Sequence, residues 1–281
     1  RRARGPRHPG RTGHDPGDGV SLPAVVVEDL SIGFGDHVVL DGVDLRLEEG
    51  RIAALVGTNG SGKTTLLSTL AGLLPPISGV CSVLGGAPGT HPARVAYLRQ
   101  FHARDFTLPL RARDVVAMGR YPRAGLFRRL NRDDRGAIDE AIERMGVGPL
   151  ASTALGEMSG GQRQRVYLAQ TLAWEADVIL LDEPSAGLDP QAKGLLARVV
   201  REEAARGAAV IAATHDVGEA LRADHAMVLA GRVVSSGPPK EALKRESLLE
   251  AFGLGVLELP DGETVALDPG HGHGEHDAHA H

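Results

Sequence analysis

The chain has 281 residues, of which 42% are hydrophobic and 24% are charged, and its formal net charge at pH 7 is −5. This composition is typical of a soluble globular protein, which excludes a chain that is disordered throughout and gives no overall attraction to nucleic acid. The sequence also lacks an apolar run near the roughly 18 residues of a membrane span, an apolar secretory signal and, with Cys81 as its single cysteine, any intrachain disulfide or cysteine zinc cluster.

The chain begins with a polar segment and continues with short apolar runs. Residues 1–22 are rich in Arg, Gly and Pro and have no apolar periodicity, which predicts a disordered basic tail. Such a tail is either a plain solvated end or a contact for anionic lipid or nucleic acid. Apolar and alternating runs then predict strands over 24–27, 38–40, 43–47 and 51–56. A glycine-rich turn separates the last run from a helix over about 63–71.

The second half of the chain alternates between strand and helix patterns. Residues from about 111 to 171 have mainly helix and loop character, and the segments after them are predicted as strands over 178–181, 208–213 and 226–230 and helices over 191–205 and 217–222. This alternation predicts an α/β sheet that is largely parallel in its centre, with a helical block inserted into it. Two alternating runs across Asp261-Gly262 predict a small hairpin over 254–267.

Residues 57–64 (Gly-Thr-Asn-Gly-Ser-Gly-Lys-Thr) match a phosphate-binding pattern, G-x-x-x-x-G-K-[ST]. Its glycines let successive backbone N–H groups point at phosphate oxygens, and the following helix adds its positive N-terminal end. Lys63 is expected to neutralise the β- and γ-phosphates, and the Thr64 hydroxyl to bind Mg²⁺. The alternative is a plain glycine turn, but the strand before and the helix after supply the context for phosphate binding. The pattern alone does not distinguish a kinase, a GTPase, a recombinase and a transporter ATPase.

Two adjacent acids follow the apolar run at 178–181. A central strand would carry Asp182 to the carboxyl edge of the sheet, where open α/β sheets bind ligands, and into the Mg²⁺ shell. Glu183 is one residue further on and is better placed to accept a proton from an attacking water. The alternative is an acidic strand end that caps a loop. Together with the phosphate loop, the pair predicts nucleotide hydrolysis.

A serine and two glycines precede an apolar-periodic helix at Ser159-Gly160-Gly161-Gln162. Ser159 is a good N-cap, and the glycines leave the helix start uncovered so that its N–H groups can face an anion. One chain cannot readily direct two such helix starts at one nucleotide, whereas two copies placed head to tail can. The segment therefore predicts a homodimer with ATP between the subunits. The alternative is an ordinary serine-capped helix with flexible glycines.

Taken in order, these segments resemble the ATPase of ATP-binding-cassette (ABC) transporters over about residues 24–245. The resemblance implies a P-loop NTPase (RecA-like) α/β core, an antiparallel β subdomain and an inserted α-helical subdomain at about 103–172. It places the ATPase domain at 23–245 and leaves a C-terminal extension at 246–268. It implies an ATP-hydrolysing enzyme that uses ATP and Mg²⁺.

The resemblance also implies roles for single residues. Phe34 stands where the family stacks an aromatic ring on adenine, Gln100 matches the Q-loop, residues 185–189 match the D-loop, and His215 matches the switch histidine that senses the γ-phosphate. Met158 replaces the commoner Leu before the signature segment. The implied nucleotide-binding residues are Phe34, Gly57, Asn59, Gly60, Ser61, Gly62, Lys63, Thr64, Thr65, Ser159, Gly160, Gly161 and Gln162. The implied catalytic residues are Glu183, His215, Gln100 and Lys63, and the implied Mg²⁺ residues are Thr64, Gln100 and Asp182.

The transported substrate is predicted from the helical insert. Residues 108–110 and 118–121, followed by 125–129, resemble the manganese and zinc importer branch, and the basic stretch 120–129 is either a solvated loop or a contact with a membrane subunit. This predicts uptake of a divalent metal, zinc before manganese. The implied partners are transmembrane permease subunits and an extracytoplasmic metal-binding protein, with the chain peripheral on the cytoplasmic face of the cell membrane. Ferric-siderophore and haem importers have a related stretch and are the alternative; a non-transport ABC ATPase is a remote one.

The C-terminal tail over 269–281 is predicted to be disordered and is rich in histidine. Neutral imidazole suits Zn²⁺, and the interspersed glycines let several rings converge. A weak zinc-binding tail is one hypothesis, and a low-complexity tail without a role is the other; the interspersed spacing argues against an expression tag. The candidate ligands are His271, His273, His276, His279 and His281.

Overall fold

The computed structural model describes residues 23–100, 110–125, 129–253, 255–258 and 264–267, the last two ranges as backbone only. The predicted tails over 1–22 and 269–281, the histidines at the C-terminus among them, lie outside these residues. Within the described part of the chain, no helix combines the length and the apolar character needed to cross a bilayer.

The residues that the structure describes form eleven strands, nine α-helices and two short 3₁₀ helices at Gly148–Leu150 and Leu155–Glu157. The strands are β1 (Pro23–Phe34), β2 (His37–Glu48), β3 (Ile52–Val56), β4 (Ser78–Val83), β5 (Val95–Leu98), β6 (Val178–Asp182), β7 (Ala209–Thr214), β8 (His225–Leu229), β9 (Val233–Gly237), β10 (Gly255–Glu258) and β11 (Thr264–Leu267). The helices are α1 (Lys63–Leu70), α2 (Ala112–Met118), α3 (Tyr121–Ala124), α4 (Arg132–Arg144), α5 (Gly160–Ala173), α6 (Pro190–Ala205), α7 (Val217–Ala220), α8 (Pro239–Ala242) and α9 (Arg245–Phe252).

A six-stranded sheet with the order β5-β6-β7-β3-β8-β9 forms the core. Its first five strands are parallel, and β9 pairs antiparallel at the edge. Every residue of β3 and β6 is buried, which explains why their sequences are continuous apolar runs rather than alternating ones. The carboxyl ends of β3, β5, β6 and β7 therefore meet at one edge. The predicted α/β P-loop fold is confirmed.

The smaller sheet has the order β2-β1-β4 and is antiparallel. The runs predicted separately at 38–40 and 43–47 form one strand, because Gly42 has a φ of 61° and the pairing with β1 shifts register around it. Such an irregularity lets a strand continue past an extra residue. Strands β4 and β9 were not predicted, because their sequences have neither a continuous apolar run nor a clean alternation. These sequences are Ser-Gly-Val-Cys-Ser-Val and Val-Val-Ser-Ser-Gly.

The helices α2, α4 and α5 pack against one another and bury one face each. Their contact is apolar and includes Val116, Ile142 and Val166. Arg120 binds α4 and the end of α5, although it opens the basic stretch that is predicted to be either a solvated loop or a contact with a membrane subunit. Only 8% of its side chain is exposed, so Arg120 cannot serve as a solvated or docking residue; this part of the prediction for 120–129 is wrong. Residues 126–128 lie outside the described chain.

The end of the described chain returns to the core and then forms a hairpin. Ala251 of α9 is buried in a cluster with Ala54 and Val228. Beyond it, β10 and β11 pair antiparallel from Gly255 opposite Leu267 to Glu258 opposite Thr264. The two paired strands of the hairpin predicted over 254–267 are therefore present, while residues 254 and 259–263 lie outside the described chain.

Candidate nucleotide-binding site

The loop between β3 and α1 follows a path that only glycine permits at two positions. A Cβ atom on Gly57 would lie 2.3 Å from the Leu229 carbonyl oxygen and 2.6 Å from Ser61 Oγ. Gly62 has a φ of 102°, and a Cβ there would lie 2.5 Å from the side chain of Leu40 on β2. Leu40 also brings the antiparallel sheet against this loop.

Lys63 opens α1 and turns back over the loop. Lys63 is 5% exposed as a residue. Its ammonium donates to the carbonyl oxygens of Gly57, at 2.7 Å, and Thr58, at 2.8 Å. Burial lowers the pKa of Lys63, while the nearby Glu183 and Asp182 oppose that change. The residue before the helix, Gly62, has no side chain to cap it, so the first amides of α1 stay directed at the loop. A cation and a helix start thus converge where an anion would bind.

Thr64 and Asp182 meet at the ends of α1 and β6. Thr64 Oγ1 donates to Asp182 Oδ2 at 2.8 Å, and burial raises the pKa of Asp182. The other carboxylate oxygen, Oδ1, is buried and has no hydrogen-bond partner among the described residues. A hydroxyl next to an unsatisfied carboxylate oxygen is the oxygen chemistry that Mg²⁺ prefers, so these residues fit the predicted ion.

Two side chains from the ends of other strands approach the Glu183 carboxylate. Gln100, just after β5, donates Nε2 to Glu183 Oε2 at 3.1 Å, and His215 Nδ1, just after β7, lies 3.9 Å from the same oxygen. Glu183 itself has a φ of 47°, which is uncommon for a residue with a side chain, and its amide donates to the Ala213 carbonyl at 3.1 Å. Such backbone strain is often found at functional sites.

Phe34 and the serine-glycine segment are the outer parts of the predicted site. Phe34 ends β1 at the tip of the β1–β2 hairpin and is 57% exposed, so a flat ligand could reach its ring. Ser159 caps α5: its Oγ accepts from the Gln162 amide at 3.2 Å, and Gln162 Oε1 accepts from the Ser159 amide at 2.9 Å. Ser159 and Gly160 are exposed.

The start of α5 packs on the loop that follows the acid pair. Gln164 Nε2 donates to the Pro184 carbonyl at 3.0 Å, and a Cβ on Gly161 would lie 2.9 Å from the Gly187 carbonyl. Sequence reasoning missed Gln164, because a glutamine inside a polar helical turn gives no signal of its partner. It also missed Glu219, whose carboxylate accepts hydrogen bonds from both Ser185 and Thr214.

The structure thus groups most of the predicted residues on one edge of the core sheet. The phosphate loop, Thr64 with Asp182, and Glu183 with Gln100 and His215 are joined by direct contacts. The exposed Phe34 and the α5 segment stand at the surface of the same chain. This is an arrangement that can bind a triphosphate and a hard cation and that holds a carboxylate for a proton.

Known proteins are similar to this chain in sequence and in fold. A family model described as ABC transporter matches residues 40–186. The zinc transport system ATP-binding protein TroB of Treponema pallidum is 34% identical over 259 residues, which cover 92% of this chain and 95% of that protein. The hemin import ATP-binding protein HmuV of Streptomyces coelicolor is 38% identical over 243 residues, covering 85% and 86%.

A solved structure extends the likeness to three dimensions. The structure of cbiO1 from Clostridium perfringens, part of the ABC transporter complex cbiONQ, has a TM-score of 0.68 and 27% identity and covers 81% of this chain and 93% of its own. The phosphate loop, the acid pair and the family match describe the same protein class. The chain belongs to the ABC transporter family, as an ATP-binding subunit that hydrolyses ATP.

Proposed function

We propose that the chain powers the uptake of a divalent metal ion, zinc before manganese, through separate transmembrane permease subunits. The observation that carries this proposal is the likeness to TroB, named for zinc transport, which spans nearly the whole of both chains. In this assembly the chain lies on the cytoplasmic face of the cell membrane, and an extracytoplasmic metal-binding protein delivers the ion. A haem importer is the second candidate, because HmuV, named for hemin import, has the higher identity over a shorter length.

Within this function, the described side chains divide the work of ATP hydrolysis. Lys63 and the start of α1 neutralise the phosphates, and Phe34 stacks on the adenine ring. Glu183 accepts the proton of the attacking water, and Gln100 and His215 orient the reacting groups around it. Thr64, Asp182 and Gln100 would hold Mg²⁺, which would supply charge neutralisation at the phosphate oxygens. The catalysis is mainly positioning and charge stabilisation.

A second copy of the chain completes the site in this proposal. The exposed start of α5, at Ser159–Gln162, faces outward and offers its remaining amides to an anion that another chain holds. A head-to-tail homodimer therefore encloses two nucleotides, each between the phosphate loop of one copy and α5 of the other. ATP closes the pair, and hydrolysis lets it reopen, which drives the membrane subunits.

Deleting the gene for this chain from its source organism is expected to abolish growth in zinc-depleted medium, with growth restored by added zinc. The measurement is growth and cell-associated zinc, manganese and haem, with the deletion complemented by the wild-type gene or by Lys63→Ala as the inactive control. Rescue by haem and not by zinc would favour the second candidate.

Membrane subunits are expected to co-purify with the chain; their absence would favour a non-transport ABC ATPase.

The histidine-rich tail is proposed to bind zinc weakly and so to buffer or sense the imported ion. Among the described residues, no group of three or more His, Cys, Asp or Glu side chains could hold a metal ion, so these residues are expected to contribute little Zn²⁺ binding. Removal of residues 270–281 is expected to abolish most Zn²⁺ binding in equilibrium dialysis. A full-length chain with all five tail histidines changed to Ser is the matched control. Equal Zn²⁺ binding by all three proteins would contradict this role.

A further inference from the structure

One oxygen of the Glu219 carboxylate joins the two loops that carry Glu183 and His215. Oε2 of Glu219 accepts from Thr214 Oγ1 at 2.8 Å and from Ser185 Oγ at 3.1 Å. Thr214 is the residue before His215, and Ser185 is two residues after Glu183. Glu219 itself stands on the short helix α7, outside both loops.

The two hydroxyl groups that donate to Glu219 are buried. Ser185 is 5% exposed and Thr214 is 3% exposed, so each donor needs an acceptor inside the protein. The other side of His215 is held as well: the Asp216 amide donates to Thr214 Oγ1 at 3.0 Å, and Asp216 Oδ1 accepts from the Glu219 amide at 3.2 Å. The backbone on both sides of His215 is therefore tied to Glu219.

Glu183 and His215 do not hold each other by a hydrogen bond. His215 Nδ1 lies 3.9 Å from Glu183 Oε2, which is beyond hydrogen-bond distance. Their relative position must come from the supports behind them. One support is the bond from the Glu183 amide to the Ala213 carbonyl, and another is the Glu219 carboxylate between Ser185 and Thr214.

We propose that Glu219 is a positioning residue for ATP hydrolysis, which sets His215 relative to Glu183 by bridging Ser185 and Thr214. The inference rests on the roles proposed above for Glu183 and His215. Its physical basis is that a displacement of the reacting groups by about 1 Å can lower the rate by up to about 100-fold. In this role Glu219 acts only through the two loops.

The test compares Glu219→Leu with Glu219→Gln in the full-length chain. Glu219→Leu removes the acceptor at similar size and is expected to lower kcat by about 10- to 100-fold, with the Kd for a fluorescent ATP analogue changed little. Glu219→Gln is expected to retain most of the turnover, because its single amide oxygen can still accept from both hydroxyls. Glu246→Leu, an exposed glutamate on α9, is the matched control.

A double-mutant cycle separates this role from a general loss of structure. In a Ser185→Ala/Thr214→Val chain, Glu219→Leu is expected to add no more than about a twofold further loss, because the two donors are already gone. A full further loss in that background, or a Glu219→Leu chain with wild-type kcat, would overturn the proposal. If Glu219→Leu does not fold, the test is the kcat of the Ser185→Ala/Thr214→Val chain, which the proposal requires to be lower than that of the wild type. Failure of the wild-type chain to hydrolyse ATP, or full turnover with Glu183→Gln, would instead overturn the proposed function.

Discussion

Replacing Glu183 by Gln is expected to lower ATP turnover by about 10²- to 10⁴-fold, the range that a general base contributes. The amide keeps the size of the side chain and can still accept the hydrogen bond from Gln100, but it cannot take up a proton. ATP binding is therefore expected to persist. The measurement pairs steady-state phosphate release with the Kd for ATP, and Glu28→Gln, an exposed glutamate on β1, is the matched control.

The same variant tests the proposed homodimer. Because ATP stays intact, Glu183→Gln is expected to elute as a dimer in size-exclusion chromatography with ATP and as a monomer without it. Adding Ser159→Arg is expected to prevent that dimer, because a long cation would occupy the exposed start of α5 where the partner's nucleotide must bind. A Glu183→Gln chain with normal turnover would contradict the assigned base. One that stays monomeric at saturating ATP would contradict the sandwich.

The parts of the site that could be predicted are those whose chemistry uses contiguous residues. The phosphate loop needs glycines, Lys63 and Thr64 at fixed spacing, since the backbone itself forms the cradle, and the acid pair needs one apolar strand to deliver it. At Gly57, the surrounding atoms leave no room for a Cβ, which explains why glycine stands there. In these segments, local sequence and local structure carry the same information.

The contacts between distant segments could not be predicted in this way. Gln100, Glu183 and His215 meet only because β5, β6 and β7 are neighbours in the sheet, and strand order leaves no trace in hydrophobic periodicity. The resemblance to a family supplied Gln100 and His215, whereas the apolar strand and the acid pair that follows it had already indicated Glu183. Glu219 shows the same limit: its partners lie 34 and five positions away in the chain.

Arg120 illustrates the opposite error, in which a residue type suggested the wrong environment. The basic run from Arg120 onward predicts either a solvated loop or a contact with a membrane subunit, yet the Arg120 guanidinium is enclosed between α4 and the end of α5. Nε donates to Asp134 Oδ1 at 3.0 Å, and a terminal nitrogen donates to the Ala173 carbonyl at 2.7 Å and to Glu175 at 2.8 Å. One planar fork thus joins three segments of the helical insert, a geometry that lysine cannot reproduce.

Replacing Arg120 by Ala is expected to lower the free energy of unfolding by about 3–5 kcal/mol, the cost of removing one partner from a buried ion pair. The stability is lost because Ala removes the donor and leaves its acceptors, Asp134 and the Ala173 carbonyl, inside the insert. The measurement is the midpoint and slope of urea unfolding of the full-length chain. Arg120→Lys is expected to fall between Ala and wild type, since an ammonium keeps the charge but cannot span all three acceptors.

Arg123 provides the matched control for this prediction, because it is an arginine in the adjacent turn that faces the same Glu175. Its side chain is 25% exposed and its nearest nitrogen is 3.6 Å from the Glu175 carboxylate, so Arg123→Ala is expected to cost at most about 1 kcal/mol. Equal losses for the two variants would show that burial of the guanidinium is not the cause.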